Sequence, residues 1–278
     1  MRTLVINLDR SPDRLAEFQA EAARCHLAFE RLRAVDGKLL TEEELAARID
    51  PHFHFQPLGR GEVAIFLSHR EAWRIAAAGP DRWTAVMEDD ARLADDVPAL
   101  LAAIEEIDPD AGIVRMETTL RRVLFDADNV ALVPGRALHR MRSWHGGTAA
   151  YVIHRNCAGD LIERTERISD PLDQFLFNPM SPASRRLTIG QVAPGAAVQA
   201  ALLDEHSAGG AAASTSGRKT AAAGLHSRHG LAIDARRLAL KLLERAKRLA
   251  DRCRPGRLYR HIPFVRSVDT PEEPFLVK

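Results

Sequence analysis

The chain has 278 residues, of which 46% are hydrophobic and 28% are charged, and its formal net charge is +1. This composition is ordinary for a soluble globular protein, and no run of about 18 apolar residues would span a membrane. The three cysteines include no C-x-x-C pair, which argues against a disulfide framework or a structural zinc site and favours a reducing compartment.

The chain opens with an apolar strand, predicted over residues 3–8, and not with a signal sequence. We therefore expect a cytoplasmic protein. A polar turn follows, and a helix is predicted from Ser11 with a proline at its first position. Ligands of α/β sheets collect at the carboxyl ends of strands, so Asn7, Arg10 and Arg14 become candidate phosphate-binding residues. The alternative is that the arginines are surface charges of the helix.

Residues 1–205 alternate short apolar strands with amphipathic helices, which is the pattern of a layered α/β domain. The predicted strands are 3–8, 28–34, 83–88, 111–116, 130–133 and 149–153. The predicted helices are 11–25, 41–49, 61–78, 95–106 and 155–165.

The helix over 61–78 carries polar residues that invite a functional interpretation. His69 could act as an acid, a base or a phosphate donor, although a single helical histidine is more often structural. Ser68 precedes it. Glu62 could contribute to a site or could complement the positive end of the helix.

Glu88-Asp89-Asp90 ends the apolar run 83–87 and is the most informative feature of the chain. Unpaired carboxylates are costly in a core, but they suit a hard divalent cation. Residues 88 and 90 lie on one side of an extended strand, so Glu88 and Asp90 could share one ion while Asp89 points elsewhere. The alternative is an acidic turn that caps the next segment.

The C-terminal part has a different character. Residues 206–230 are rich in small residues and predict a flexible linker. Residues 231–260 contain ten Lys or Arg against three Asp or Glu, so a basic segment follows an acidic body. An apolar stripe with spacings of three and four predicts an amphipathic helix within residues 231–278. Its composition over 231–254 suits an anionic membrane surface, and packing against the domain or a second subunit is the alternative.

Three blocks together resemble glycosyltransferase family 25: the N-terminal V-I-N-L-x-R-S-x-x-R segment, the G-E-x-A-x-x-x-S-H helix and the E-D-D strand end. The segments Ala34-Val35-Asp36-Gly37, Gly147–Ile153 and Pro171-Leu172-Asp173 resemble further family blocks, so the resemblance covers roughly residues 1–205. The segment Arg115-Met116-Glu117 departs from the pattern.

The resemblance implies a GT-A-like fold with a mostly parallel central sheet over 1–205. It implies an inverting hexosyltransferase that uses Mn²⁺ or Mg²⁺, a UDP-hexose such as UDP-galactose and a lipopolysaccharide-type glycan, with no nucleic-acid partner. A protein that acts on such an acceptor could associate peripherally with the inner membrane. A metal-dependent phosphohydrolase and a non-catalytic glycan- or membrane-binding protein remain as alternatives.

Within this resemblance each candidate residue has an expected role. Glu88, Asp90 and Asp89 are the expected metal site. Asp173 and His69 are the catalytic candidates, with Asp173 as the general base that deprotonates the acceptor; the alternative is that Asp173 is a helix N-cap. Asp170 is a competing base. The donor-binding candidates are Asn7, Arg10, Arg14, Asp36, Glu62 and Ser68, and Asp36 would accept hydrogen bonds from the base or ribose.

Overall fold

The computed structural model describes residues 1–50, 55, 57–107, 111–207, 238–239, 242–243, 245–247 and 249–268. Its helices are α1 (Pro12–Arg24), α2 (Glu42–Arg48), α3 (Arg60–Ala78), α4 (Val97–Glu106), α5 (Arg155–Glu163), α6 (Leu172–Phe177) and α7 (Ala200–Ser207). Its strands are β1 (Arg2–Asn7), β2 (Glu30–Arg33), β3 (Trp83–Glu88), β4 (Ala91–Leu93), β5 (Ile113–Arg115), β6 (Glu117–Thr118), β7 (Arg122–Val133), β8 (Arg136–Met141), β9 (Ala150–His154), β10 (Ile189–Ala193), β11 (Ala197–Gln199) and β12 (Arg257–His261).

Nine of these strands form one mixed sheet in the order β12-β7-β8-β10-β5-β9-β3-β1-β2. The mixed α/β class is as predicted, but the expectation of a mostly parallel sheet is wrong. Three neighbouring pairs are parallel and five are antiparallel. The reason is that β9 runs against both of its neighbours and β7 and β8 form a hairpin, and apolar periodicity carries no information on strand direction.

The predicted helices and most predicted strands match the structure within a few residues, and β3 matches at both ends. The predicted strand 130–133 is the end of the longer β7. Sequence patterns missed the helices α6 and α7 and the strands β4, β6, β8, β10, β11 and β12. Of these strands, β4, β6 and β11 have only two or three residues, which is too few to show a period.

Apolar side chains cover both faces of the sheet. In β3, Trp83, Ala85 and Met87 enter one core cluster, whereas Val86 enters the other. A strand buried on both faces reads as a continuous apolar run, which is why its position was predictable. Helix α3 packs Phe66 and other apolar residues into the second cluster.

A second, three-stranded sheet with the order β4-β11-β6 adjoins the large one. Strand β4 follows the acidic triplet directly, and β6 begins at Glu117. Strand β11 pairs with both, and the Ala200 amide donates to the Asp90 carbonyl at 2.9 Å. The small sheet therefore fixes the chain segments on which Asp90 and Glu117 lie.

The C-terminal region contributes to the fold. The described residues of 238–252 are helical, and they are followed by β12, which pairs with β7 in the large sheet. Ile262 and Phe264 are buried. The tail predicted for 231–278 is thus, over residues 257–264, part of the main structure. Beyond Ser207, the predicted linker lies outside the described residues. Among the described residues, no helix is long and apolar enough to cross a membrane.

Candidate active site

Polar side chains gather at one edge of the large sheet, where β1, β3 and β5 end. Asn7 and Glu88 are the last residues of β1 and β3, and Arg115 is the last residue of β5. Strand β9 is antiparallel to β3 and β5, so the residues before it, including Thr148, reach the same edge. The carboxyl edge of a sheet is where α/β proteins bind ligands.

Glu88 is held by two neighbours. The Thr148 hydroxyl donates to Glu88 Oε1 at 2.6 Å, and His69 Nε2 lies 3.3 Å from the same oxygen without the alignment of a full hydrogen bond. Burial alone would raise the pKa of Glu88, but the His69 ring and the Thr148 hydroxyl bring its pKa below the ordinary value. Glu88 is therefore an ionised carboxylate with a fixed orientation.

His69 is buried behind Glu88 in a chain of hydrogen bonds. The Trp73 indole donates to the Tyr151 oxygen at 2.9 Å, and this hydroxyl lies 2.9 Å from His69 Nδ1. Burial raises the pKa of Tyr151, so its hydroxyl keeps its proton within this chain. In this arrangement His69 positions a carboxylate.

Asp89 has different partners from Glu88, but strand alternation is not the reason. Strand β3 ends at Glu88, Asp89 and Asp90 form the turn after it, and the same Arg14 nitrogen contacts both aspartates, so the prediction that Glu88 and Asp90 share one side of a strand is wrong. Its Oδ2 accepts from Asn7 Nδ2 at 2.7 Å, and its Oδ1 contacts the Arg14 guanidinium. Burial raises the pKa of Asp89, and these two partners oppose that shift. Asn7 is itself buried, and its Oδ1 accepts from Arg31 at 2.9 Å. Asn7 therefore ties β1 to the acidic triplet with its amide fully engaged.

Asp90 is the least satisfied carboxylate of the triplet. Arg14 Nη2 lies 3.0 Å from Asp90 Oδ2, whereas Oδ1 is enclosed and has no hydrogen-bond partner among the described residues. Burial raises the pKa of Asp90 to about 7, and the negative charge of Glu88 adds to the shift. An enclosed carboxylate oxygen without a donor is suited to an incoming cation.

Glu117, which the sequence interpretation did not place in the site, is fully buried beside the triplet. Its Oε2 accepts from the Ala149 amide at 2.8 Å, and its Oε1 has no partner among the described residues. Burial raises the pKa of Glu117 to about 8, with contributions from Glu88 and Asp90. A Cβ atom at Gly147, where φ is +85°, would lie 2.7 Å from Glu117 Oε2, so glycine is required there.

Arg115 shapes the loop that precedes β9. Its buried guanidinium donates to the Gly146 carbonyl at 2.7 Å and to the Gly147 carbonyl at 3.1 Å, and it lies 4.2 Å from the centroid of the Phe177 ring. Burial lowers the pKa of Arg115 to about 10. Sequence reasoning placed neither Arg115 nor Glu117 in the site. The signal that the sequence offered for them was the alternation of two charged residues at a strand end.

Asp173 lies in the first turn of α6, next to this loop. Pro171 is the N-cap of α6, so the N-cap interpretation of Asp173 is wrong. Asp173 Oδ1 accepts from the Gln174 amide at 2.8 Å, and a Cβ atom at Gly146 would lie 3.3 Å from Oδ2. The competing candidate Asp170 is fully buried and accepts from the Phe55 amide at 2.8 Å.

The remaining predicted residues stabilise the loops around the site. Asp36 accepts from Arg10 at 2.7 Å and from the Lys38 amide at 3.0 Å, and these bonds lower the pKa of Asp36. The buried Ser68 hydroxyl accepts from the Val35 amide at 2.9 Å. Glu62 accepts from the Gly59 amide at 3.0 Å, which is the helix-end role named as its alternative.

The acidic residues do not form a complete metal cage. Among the described residues, no three His, Cys, Asp or Glu side chains are close enough to one another to hold a metal ion. Mg²⁺ and similar hard cations are commonly bound by one or two carboxylates together with substrate phosphates. Glu88 and Asp90, with the unpaired oxygens of Asp90 and Glu117, fit that second kind of site.

Comparison with known families gives a match over the region that holds most of this site. The model of the family described as "Glycosyltransferase family 25 (LPS biosynthesis protein)" matches residues 1–176. The match includes Glu88, Asp90, Glu117 and Asp173.

Curated relatives are similar over the same region. A lacto-N-neotetraose biosynthesis glycosyltransferase LgtB of Neisseria meningitidis serogroup A is 32% identical over 56% of this chain and 60% of its own length. The LgtB protein of Neisseria gonorrhoeae is 31% identical over 64% of this chain and 68% of its own. A procollagen galactosyltransferase 1-B of Xenopus laevis is 32% identical over 32% of this chain and 16% of its own. The chain thus spans 60% to 68% of the length of the two bacterial relatives.

Among solved structures, the glycosyltransferase GlyE of Streptococcus pneumoniae TIGR4 aligns with 63% of this chain and 43% of its own at 13% identity. The TM-score of 0.31 is too low to establish a shared fold.

Proposed function

Because the chain belongs to glycosyltransferase family 25, we propose that it transfers a hexose from a nucleotide sugar to a lipopolysaccharide-type glycan. The observation that carries the proposal is that the carboxylates of Glu88 and Asp90 both lie at the carboxyl edge of the sheet, beside the buried Glu117. The proposed donor is UDP-galactose, which the galactosyltransferase among the relatives supports. The GT-A-like character of the fold belongs to the same proposal.

Mn²⁺ or Mg²⁺ is the proposed cofactor, held by Glu88 and Asp90. The enclosed Oδ1 of Asp90 and the fixed carboxylate of Glu88 are hard oxygen donors. When bound, such an ion supplies the positive charge that stabilises a departing diphosphate. Asp89 serves the site indirectly, because Asn7 and Arg14 occupy its oxygens. Arg14, which is about half exposed at 47%, adds a positive charge suited to the diphosphate.

Asp173 is the proposed general base. The hydrogen bond from the Gln174 amide orients its carboxylate, and the Arg115 guanidinium lies close enough to interact with it electrostatically. The acceptor hydroxyl gives its proton to Asp173 as its oxygen attacks the anomeric carbon, and UDP leaves from the opposite face with inversion. His69 acts in this scheme through Glu88. Asp36 and Arg10 are proposed to lie at the nucleoside end of the donor, with Ser68 and Glu62 holding their loop.

Peripheral association with the inner membrane is a further part of the proposal. Leu238, Leu242 and Leu249 are between 56% and 60% exposed, so in this chain they do not pack onto the α/β body. Lysine and arginine residues surround them, which is the composition of a helix at an anionic interface. A second subunit that covers these leucines is the competing explanation.

The test is a screen of UDP- and GDP-sugars by thermal stabilisation, with and without Mn²⁺, followed by a transfer assay with a glycan acceptor. A ligand that binds only the folded protein raises its melting temperature. We expect UDP-galactose to stabilise the protein only with the divalent ion, and turnover to require the acceptor. Release of phosphate without an acceptor would favour a phosphohydrolase. Binding of glycan without turnover of any donor would favour a non-catalytic protein.

A further inference from the structure

A cavity lies beside Phe177, the last residue of α6, and none of the carboxylates of the candidate active site lines it. It has a volume of about 350 Å³ and is lined by the end of β8, by Phe177, by Ser184 and Arg185, and by five residues of the C-terminal part, Lys247, Ala250, Asp251, Arg254 and Arg257. Its size is that of a small-molecule site. The family match ends at residue 176, so much of this cavity is built from residues beyond the matched region.

The rim of the cavity carries an excess of positive charge. Of its cationic residues, Arg142 and Arg257 both pair with Asp126, and Arg254 lies 3.2 Å from Asp251. The remaining three, Arg140, Arg185 and Lys247, have no carboxylate within ion-pair distance among the described residues, and all three are exposed. Three cations around one opening, none paired with a carboxylate of the described residues, favour an anionic ligand.

The floor of the cavity is apolar with hydroxyl groups. Phe177 and Ile189 are buried there, together with Ser143 and Ser184. The Ser143 oxygen accepts from the Leu124 amide at 2.9 Å, which leaves its hydroxyl proton available to donate. An apolar ring face with nearby hydroxyls suits the C–H face and the hydroxyl groups of a sugar, whereas a bare anion would not use them.

The cavity adjoins the acceptor side of the proposed transfer site. The Phe177 ring forms part of its floor and also contacts the Arg115 guanidinium, 4.2 Å from the ring centroid. Arg115 in turn holds the Gly146 carbonyl beside Asp173, and Asp173 and Phe177 belong to the same short helix. Asp173 and Phe177 are four residues apart, about 6 Å along the helix axis, so a glycan of more than one sugar unit is long enough to reach from one to the other.

From this geometry we infer that the cavity is a subsite for an anionic saccharide unit, one that carries a phosphate or carboxylate group, of the acceptor glycan. The identification of this saccharide as part of the acceptor rests on the proposed function, whereas the existence of the binding site does not. Arg140, Arg185 and Lys247 bind the anionic group, Ser143 and Ser184 bind hydroxyls, and Phe177 contacts the ring.

The test measures binding of glucose 6-phosphate to the whole chain by calorimetry, in the absence of donor and divalent ion, with glucose and inorganic phosphate as comparison ligands. We expect glucose 6-phosphate to bind at least about tenfold more tightly than either part alone and to weaken with salt. Arg140→Glu and Arg185→Glu should each weaken binding about ten- to hundredfold, the scale of a charge-assisted hydrogen bond.

Arg186→Glu is the matched control, because Arg186 is exposed in the same turn as Arg185 but does not line the cavity. It should leave binding unchanged. An equal loss in Arg186→Glu, or no loss in the two rim variants, would overturn the subsite. Equal affinity for inorganic phosphate would overturn the saccharide assignment, and displacement of glucose 6-phosphate by phosphatidylglycerol vesicles would assign the cavity to a lipid headgroup.

The two proposals fail separately. Loss of this binding together with intact donor-dependent transfer overturns the subsite and leaves the proposed function in place. If the protein binds glucose 6-phosphate but transfers no sugar, the proposed function is overturned and the anionic saccharide site stands.

Discussion

At the scale of single residues, the acidic triplet contains three different environments. Glu88 accepts from Thr148 and lies beside His69, Asp89 binds Asn7 and Arg14, and Asp90 has an enclosed oxygen without a hydrogen-bond partner among the described residues. Three adjacent carboxylates therefore cannot have one common role. The contacts rank them, with Asp90 and Glu88 as the candidates for the ion and Asp89 as a residue that stabilises the site.

Asp90→Asn should abolish the divalent-dependent part of UDP-sugar binding while the protein stays folded, because the substitution removes charge and keeps shape. Glu88→Gln should act similarly. Asp89→Asn should instead lower the free energy of unfolding by about 1–3 kcal/mol, since the buried Asn7 amide and the Arg14 guanidinium both bind its oxygens. Donor titration with and without Mn²⁺ and chemical denaturation measure the two effects. Asp128→Asn, an exposed site, is the control. Wild-type binding in Asp90→Asn would contradict the metal assignment.

Glu117 gives a prediction about pH. Burial raises its pKa to about 8, so between its unfolded pKa of 4.5 and about pH 8 the folded protein keeps a proton that the unfolded chain releases. This contribution to stability is fully present below pH 4.5 and is lost as pH rises toward 8. In EDTA, Glu117→Gln should therefore gain stability relative to wild type from pH 5 to pH 8, by at most about 4 kcal/mol. A difference that stays constant with pH would contradict the buried, protonated carboxyl.

At the scale of elements, α6 carries the candidate base Asp173 in its first turn, and its last residue, Phe177, lines the cavity. Pro171 occupies the N-cap position of the helix without a side-chain cap, and Asp173 lies in its first turn, whereas Asp170 accepts a hydrogen bond from the Phe55 amide in the preceding part of the chain. The two aspartates are three residues apart but make different contacts.

Asp173→Asn should lower the transfer rate by about 10²–10⁴-fold, the usual scale for a general base, with donor affinity nearly unchanged. Its free energy of unfolding should stay within about 1 kcal/mol of wild type, because the amide oxygen can still accept from the Gln174 amide. Asp170→Asn is the comparison. It should lower the free energy of unfolding more than Asp173→Asn does, and it should lower the transfer rate less. If Asp170→Asn has the larger effect on rate, the base is Asp170.

The C-terminal helical segment has an exposed apolar side. The triple substitution Leu238→Ser, Leu242→Ser and Leu249→Ser should abolish binding to anionic vesicles at low salt without loss of folding, because these side chains are more than half exposed. Leu39→Ser, at a site that is 74% exposed on the body of the protein, is the matched control. Vesicle binding that ignores salt and lipid charge would contradict a surface anchor. If the triple variant binds vesicles like wild type but sediments as a smaller particle, the leucines contact a second subunit.

At the scale of the whole molecule, the C-terminal segment of the described chain is built into the main structure. Arg136 lies in the large sheet and binds Asp96 at 2.6 Å and the Val265 carbonyl at 2.6 Å. Strand β12 extends the same sheet, and Gly195 and Phe264 form a bridge beside β11. Residues beyond the family match are therefore part of the fold of this chain.

Deletion of residues 255–278 should lower the free energy of unfolding by on the order of 5 kcal/mol, because it removes β12 and the buried side chains of Ile262 and Phe264. Domain stability is typically 5–15 kcal/mol, so the variant should melt far lower or fail to fold. Deletion of residues 269–278 keeps every described contact and is the control. Equal melting temperatures for both deletions would show that the C-terminal strand is dispensable.

The sequence determined the elements whose signal is local. Strand β3, its acidic end and the long helix α3 were predictable because apolar periodicity and helix-end signals extend over many consecutive residues. The placement of Glu88, Asp89 and Asp90 at a strand end followed from the same signal. Tertiary structure alone decided strand direction, because β9 reads the same whichever way it pairs. It also decided that Glu117, Thr148 and the Tyr151–His69 pair meet the triplet, since contacts between residues far apart in the chain leave no local pattern. The partners then separated three like carboxylates into different roles, because the pKa of a buried group depends on the neighbours that the fold brings to it.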